Sequence, residues 1–252
     1  KIDVTNGEYL NLKVKDITAH CEGLVNTNKV NFWNLNNSNV ATFFSSNKDL
    51  YIKSDSAFDT SVGVGARNIN VEYVYLDALS GEYKNGIVSG VLNGITRVSL
   101  GVSGIAINSM SVISAGGTTN LGNIIAEADE GGGVFRDMNI IPSGVSISKY
   151  FFQVPIHGTN MIINEISYGG TGQFICFIQV CKVNIATGVK SVLLKELVDL
   201  NAHYSKMDCA FTINGGTEYL VGEARPHTTP PNTDNFFYLT AKAYTKDVTL
   251  SV

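Results

Sequence analysis

The residues of this chain that could bind a metal are few and lie far apart in the sequence. Histidine and cysteine are neighbours only at His20–Cys21 and, more loosely, at His203 and Cys209. Neither pair has the clustered spacing of a zinc site, which takes three or four ligands. We therefore predict no metal site. The four cysteines are too sparse for a disulfide scaffold, and we interpret them as buried free thiols, because unpaired cysteine prefers the protein interior.

Catalytic residues are equally hard to find. A serine nucleophile usually stands in Gly-x-Ser-x-Gly, and the nearest segment, residues 101–104, is one residue short. The glycine-rich segments 63–65 and 131–133 do not open a helix after a strand, so they are not typical of phosphate binding. We predict no catalytic residue, no cofactor and no enzyme activity.

Four acidic residues in predicted loops could bind calcium. Asp55, Asp59 and the pair Asp129–Glu130 are interpreted as turn-capping and solvating groups instead, since short carboxylates commonly bond to nearby backbone N–H groups. No sequence feature pairs two particular acids across a cleft, as glycoside hydrolysis would need. A polysaccharide hydrolase is the least favoured of the functions considered.

Composition limits the class of protein further. Only 16% of the 252 residues are charged, against roughly 25% in ordinary soluble domains. The net charge is −4 and no basic block occurs, so we expect no nucleic-acid partner. No apolar run approaches the roughly 18 residues of a membrane helix, and we expect neither a membrane partner nor a signal peptide. Low charge and many β-branched residues favour stacked sheets and protein–protein contacts.

The elements that must position these residues are predicted to be strands. Short alternating runs of β-branched and aromatic residues, densest in residues 50–130, are typical of consecutive hairpins. Asn85–Gly86 and Asn93–Gly94 are the predicted hairpin turns, because a type I′ turn needs two residues tolerant of positive φ. Further structural turns are predicted at Gly63, Gly65, Gly116 and Gly122.

Two segments depart from simple alternation. The apolar phase slips between Ile107 and Met110, and a bulge near Asn108 or Ser109 would keep both apolar side chains inward. Residues 189–200 favour a strand, given their strand-rich surroundings, although their leucines also fit one face of a helix.

The predicted fold class is all-β, an antiparallel β-sandwich or jelly-roll-like architecture. We expect two sandwich units: residues 1–49 form an N-terminal arm and the first strands, residues 50–145 a first sandwich, and residues 146–252 a second. The boundary is placed at a change of composition, since every proline lies at position 142 or beyond. The sequence leaves open whether the halves are separate domains or one continuous sandwich.

Several ordered motifs resemble a widespread family of bacteriophage virion structural proteins. The first is the segment around Trp33, and the second is the stretch Asp-Thr-x-x-Gly-x-Gly-Ala-Arg. A Leu-Asn-Gly turn and a loop of the form Ser-Ala-Gly-x-x-x-Asn-x-Gly-x-Ile follow. The matching positions are Asp59, Thr60, Gly63, Gly65, Ala66, Arg67, Leu92, Asn93, Gly94, Ser114, Ala115, Gly116, Asn120, Gly122 and Ile124. The resemblance covers roughly residues 30–245 and is strongest in 50–125.

The resemblance implies a non-enzymatic component of a phage particle, located in the virion and assembled in the host cytoplasm. A capsid decoration or cement protein is the first expectation, forming a homo-oligomer such as a trimer and contacting the major capsid protein or other virion proteins. A receptor- or glycan-binding tail or fibre protein is the alternative. Five aromatic residues are candidate partner contacts: Trp33, Tyr168, Tyr204, Phe236 and Phe237.

Overall fold

A computed structural model describes residues 16–25, 44–117, 119–148, 151–153, 159–171, 175–199, 204–226 and 235–247. Within these ranges the chain forms strands and turns and contains no helix. The strands are β1 (Asp16–Val25), β2 (Lys48–Ser54), β3 (Ala66–Leu76), β4 (Tyr83–Val91), β5 (Val98–Gly104), β6 (Ala106–Ala115), β7 (Ile124–Gly131), β8 (Val134–Ile141), β9 (Phe151–Gln153), β10 (Thr159–Thr171), β11 (Ile175–Asn184), β12 (Lys190–Asp199), β13 (Tyr204–Asn214), β14 (Glu218–Pro226) and β15 (Asn235–Asp247).

The described strands form four sheets, and every strand pairing between them is antiparallel. The orders are β5-β2-β7-β8, β4-β3-β6, β1-β15-β10-β13 and β12-β11-β14-β9. The predicted all-β, antiparallel class is confirmed.

The sheets β5-β2-β7-β8 and β4-β3-β6 enclose one apolar core and form the first sandwich. Apolar and polar residues alternate along β2, and so do the faces on which they lie. Leu50 and Ile52 point inward, while Tyr51 and Lys53 lie on the outer face. Fully burying each such large aliphatic side chain contributes about 1.5–3 kcal/mol. The opposite side of this core is formed by β3 and β6, including Ile69 and Met110.

The other two sheets enclose a separate core and form the second sandwich. Ile163 and Ile166 of β10 pack there with Ile178 and Val180 of β11. The outermost strand of one sheet, β1, pairs along its whole length with β15, from Asp16↔Tyr244 to Val25↔Asn235. This sandwich is therefore built from both ends of the described chain, and the first sandwich lies between them in sequence.

A smaller apolar cluster joins the two sandwiches. Val74 and Ile105 of the first contact Val183, Tyr219 and Val221 of the second, and all five side chains are buried. The division of the chain at residue 145 stays a prediction.

Two local predictions are confirmed. The pairing of β3 with β6 shifts by one residue between Glu72↔Ser109 and Tyr73↔Ile107, which places a bulge at Asn108. Because of it, Ile107 and Met110 are both buried although they are three positions apart. Residues 190–199 form strand β12, as the strand interpretation of that segment predicts.

The predicted turn at Asn85–Gly86 is wrong. Both residues lie inside β4, where Asn85 pairs with Val74 and Gly86 with Tyr73. A Cβ atom on Gly86 would lie 2.5 Å from Cζ of Tyr73, so this glycine makes room for an aromatic ring. The turn instead occupies residues 77–82, where Gly81 has φ of +68°.

Candidate functional site: the three-loop surface

Three loops meet at one end of the first sandwich. They are residues 55–65 between β2 and β3, residues 92–97 between β4 and β5, and residues 116–123 between β6 and β7, of which residue 118 is not described. We call this end the three-loop surface. Each loop joins one sheet of the sandwich to the other, so the fold brings all three to the same end.

Backbone hydrogen bonds connect the three loops to one another. The N–H of Gly94 donates to the carbonyl of Asp59 at 2.8 Å, and Thr60 and Asn93 form an isolated β-bridge. On the other side, the N–H of Gly116 donates to the carbonyl of Gly65 at 2.9 Å. The first loop thus lies between the other two and is bonded to both.

The carboxylate of Asp59 organises this end. It is fully buried. Oδ1 accepts hydrogen bonds from the N–H groups of Ala66 at 2.8 Å and Leu121 at 2.9 Å. Oδ2 accepts from the hydroxyl of Ser54 at 2.6 Å and the N–H of Gly122 at 2.9 Å. A buried charge is costly unless it is well hydrogen-bonded, and this one has four donors.

Glycines permit close packing within the three-loop surface. A Cβ on Gly65 would lie 2.0 Å from Oδ1 of Asp59, and one on Gly122 would lie 2.1 Å from Oδ1 of Asp55. A Cβ on Gly116 would lie 2.1 Å from the carbonyl oxygen of Gly63. These three positions demand glycine because another group occupies the space.

The turn at the second loop has a different requirement. Gly94 adopts φ of +59°, in the left-handed region that favours glycine, and Asn93 precedes it. Gly63 lies in the bend of the first loop, where its N–H donates to the carbonyl of Thr60 at 3.0 Å.

The outer side of the three-loop surface is largely apolar, and its two exposed charged residues, Asp55 and Arg97, lie at its margin, next to the strands. Five side chains are between 42% and 86% exposed: Phe58, Val62, Val64, Ile95 and Leu121. The segments 56–66, 92–96 and 115–123 contain one charged residue, Asp59, and it is buried. Large side chains exposed together on a rigid frame are typical of a protein contact site.

A second cluster lies on the outer face of the sheet β5-β2-β7-β8. The side chain of Glu127 is only 3% exposed, and its oxygens contact Lys53 Nζ at 2.6 Å and Arg97 Nε at 2.5 Å. Burial raises the pKa of Glu127, but the hydrogen bonds from Arg97 and Lys53 prevail and the pKa is lowered. The guanidinium of Arg97 also lies 3.7 Å from the ring centroid of Phe135, a cation–π geometry.

Asp137 stands opposite Glu127 in the pairing of β7 with β8. Burial, and then the negative charge of Glu127, raise the pKa of Asp137. Sequence inspection missed this acidic pair, because ten positions and a hairpin separate its members. Since both oxygens of Glu127 already bond to cations, the cluster supports the sheet rather than a reaction.

The aromatic residues predicted as partner contacts are not gathered on one described surface. Tyr168 is half-buried and packs against the core of the second sandwich. The backbones of Tyr204, Phe236 and Phe237 lie in β13 and β15, and their side chains are outside the described part, as is Trp33 altogether. Their role as contacts stays a prediction.

Among the described residues, no group of three or more His, Cys, Asp or Glu side chains is arranged to bind a metal ion. None of the described segments is a helix long and apolar enough to cross a membrane.

No protein family and no curated protein sequence matches the chain. Three solved structures show a weak similarity to the chain. Murine APRIL is 8% identical over 69% of this chain and 97% of its own, with a TM-score of 0.21. The structure of infectious bursal disease virus, Gt strain, is 10% identical over 97% of this chain and 75% of its own, with a TM-score of 0.23. The VP2 subviral particle of that virus is 8% identical over 97% of this chain and 74% of its own, with a TM-score of 0.25. Values this low say nothing about what the chain does.

Proposed function

We propose that this chain is a non-enzymatic structural protein of a bacteriophage virion, and that it attaches to its neighbour through the three-loop surface. The observation that carries the proposal is the combination of five exposed apolar side chains with a frame fixed by the buried Asp59. Preorganised loops lose little conformational entropy on binding, which favours a stable contact.

The apolar character of the three-loop surface favours one kind of partner. The charged groups at its margin already have partners, since Asp55 accepts from Asn123 and Arg97 pairs with Glu127, so the surface offers little to a phosphate backbone or a sugar. An apolar protein surface matches it best. With the motifs of residues 50–125, which resemble those of phage virion proteins, this favours a capsid decoration or cement role over a receptor-binding tail or fibre.

In this proposal the partner is the major capsid protein or another virion protein. The chain acts as a homo-oligomer, for which a trimer on a local symmetry axis is our expectation. Assembly takes place in the host cytoplasm and the mature location is the virion.

Binding of the purified protein to empty capsids tests the proposal. Val62→Asp places a charge at an 86% exposed position of the three-loop surface. Leu79→Asp is the matched control, since Leu79 is 99% exposed in the turn of residues 77–82, away from the three loops. We expect Val62→Asp to lose capsid binding and Leu79→Asp to retain it. If both variants bind as the wild type does, this surface is not the attachment site. If the wild type binds host cells and not capsids, the receptor-binding alternative replaces the proposal.

A further inference from the structure

The first sandwich has four edge strands, and three of them are protected against pairing with another strand. β5 departs from regular pairing with β2 between Asp49 and Tyr51. β8 has two register shifts against β7 and carries the exposed charges of Arg136 and Asp137. The outer edge of β6 is covered by residues 145–148, whose Ser146 carbonyl accepts from the N–H of Val112 at 2.7 Å. Bulges, charges and covering segments are the usual means of blocking a sheet edge.

The fourth edge strand, β4, has none of these protections in the described part of the chain. It is nine residues long and pairs with β3 in unbroken register from Asn68↔Val91 to Leu76↔Tyr83. It contains no proline, and its single charge, Lys84, forms an ion pair with Asp77 at the adjoining turn. From Asn85 to Val91 its far side therefore presents a row of N–H and C=O groups that is open to water and to pairing with another extended strand.

The outward side chains of β4 are self-complementary. Ile87 and Val91 are 71% and 50% exposed, and Ser89 lies midway between them on the same face. In an antiparallel pair centred on Ser89, Ser89 stands opposite its copy, and Ile87 of each chain stands opposite Val91 of the other. Both exposed apolar side chains are then covered, and Lys84 does not face a second lysine.

We propose that β4 is a self-association edge, at which two copies of this chain pair antiparallel about a two-fold axis through Ser89 and join their sheets into one. The contact is isologous, so each copy contributes the same strand. It does not depend on the proposed virion role. A trimer can accommodate it when two trimers meet, or when neighbouring trimers touch on a particle surface.

A self-crosslink tests this pairing directly. Directly opposed residues of an antiparallel pair have Cα atoms about 4.5–5.5 Å apart, within the range that a disulfide spans. We expect Ser89→Cys, oxidised in the purified chain, to migrate at twice the monomer mass without reductant. Ser99→Cys on the edge strand β5 is the matched control, since Ser99 is also an exposed serine on an edge strand, and it should stay monomeric.

Sedimentation of the chain without engineered cysteines gives the second readout. Ile87→Lys places two like charges at the proposed contact, and we expect it to halve the mass of the assembly that the wild type forms. Circular dichroism checks that the variant keeps its strands. A Ser89→Cys chain that stays monomeric, together with an unchanged mass for Ile87→Lys, would overturn the proposal. Because these experiments use the isolated chain, their outcome is separate from that of the capsid-binding assay.

Discussion

Oδ1 of Asp59 accepts a hydrogen bond of 2.9 Å from the backbone N–H of Leu121, a residue 62 positions further along the chain. The same carboxylate accepts from the N–H of Gly122, and its own backbone carbonyl accepts from Gly94. One buried side chain thus sets the relative positions of three loops. The exposed side chains Phe58 and Val62 are presented by this frame.

Replacement of Asp59 by asparagine should destabilise the protein strongly. The amide keeps the size of the carboxylate, but its NH₂ group leaves at least one backbone N–H donor without an acceptor, and the hydrogen bonds that remain lose the negative charge. Each buried unsatisfied group costs about 1–3 kcal/mol, so we expect a loss of about 2–4 kcal/mol in the free energy of unfolding, measured by urea denaturation. The matched control is Asp49→Asn, since Asp49 is exposed and bonds only to Ser103 in the described contacts. A change for Asp59→Asn no larger than that of the control would refute the structural role of Asp59.

The glycine at position 65 should not tolerate a methyl group. Its Cβ would lie 2.0 Å from Oδ1 of Asp59, which four hydrogen bonds prevent from moving aside. Overpacking of this kind typically costs about 1–3 kcal/mol, and we expect Gly65→Ala to lower the thermal midpoint accordingly. Gly117→Ala is the control from the same end of the sandwich, because no atom lies within 4 Å of a Cβ there. Equal midpoints for the two variants would contradict the close packing of Gly65 against Asp59.

The pH dependence of stability should reveal the ion pairs of Glu127. The pKa of Glu127 lies below its ordinary value of 4.5 in the folded protein. Its contribution is therefore complete above that value and is lost as the pH falls through the lower, folded pKa. At pH 7, Glu127→Gln should be less stable by about 1–3 kcal/mol, because Arg97 and Lys53 lose a charged partner. The difference between wild type and variant should shrink as urea unfolding is repeated at pH 4 and then pH 3. A difference that stays constant from pH 7 to pH 3 would show that the charge of Glu127 contributes nothing.

Asp137 should behave in the opposite way. Its pKa is raised above the ordinary value of 3.8, so the folded state binds more protons than the unfolded state in this range. The charged form therefore opposes folding at neutral pH, and this penalty disappears as the pH falls through the raised pKa. Since Asp137 is exposed to solvent, Asp137→Asn should stabilise by no more than about 0.5 kcal/mol at pH 7 and by nothing at pH 3. A loss of stability at pH 7 would be the contrary result.

The sequence predicts the fold class and several details well, because those depend on local patterns. The phase slip between Ile107 and Met110 identifies the bulge at Asn108, since a strand that must bury both side chains needs an extra residue. The alternation of β2 correctly separates Leu50 from Tyr51. Asn85–Gly86 gave a wrong prediction. This dipeptide is common in turns, but here Gly86 lies within a strand and leaves room for the ring of Tyr73.

The candidate site is harder to predict because its bonds are distant in sequence. Asp59 appears in the sequence as one more loop carboxylate, and nothing local identifies Leu121 and Gly122 as its donors. One signal was available: Asp59 is the single charge in an otherwise uncharged segment that is rich in glycine. The pairing of β1 with β15 joins segments about 220 residues apart and depends on the whole fold.

The measurement that tests the central proposal most directly is the number of copies of this chain in purified phage particles, counted by quantitative mass spectrometry against the major capsid protein. A capsid decoration role predicts a copy number in a fixed ratio to the major capsid protein, on the scale of the whole shell. It also predicts that particles assembled with Val62→Asp lose the protein while those with Leu79→Asp keep it. Absence of the chain from washed particles, or a copy number confined to one vertex or the tail, would contradict the decoration role.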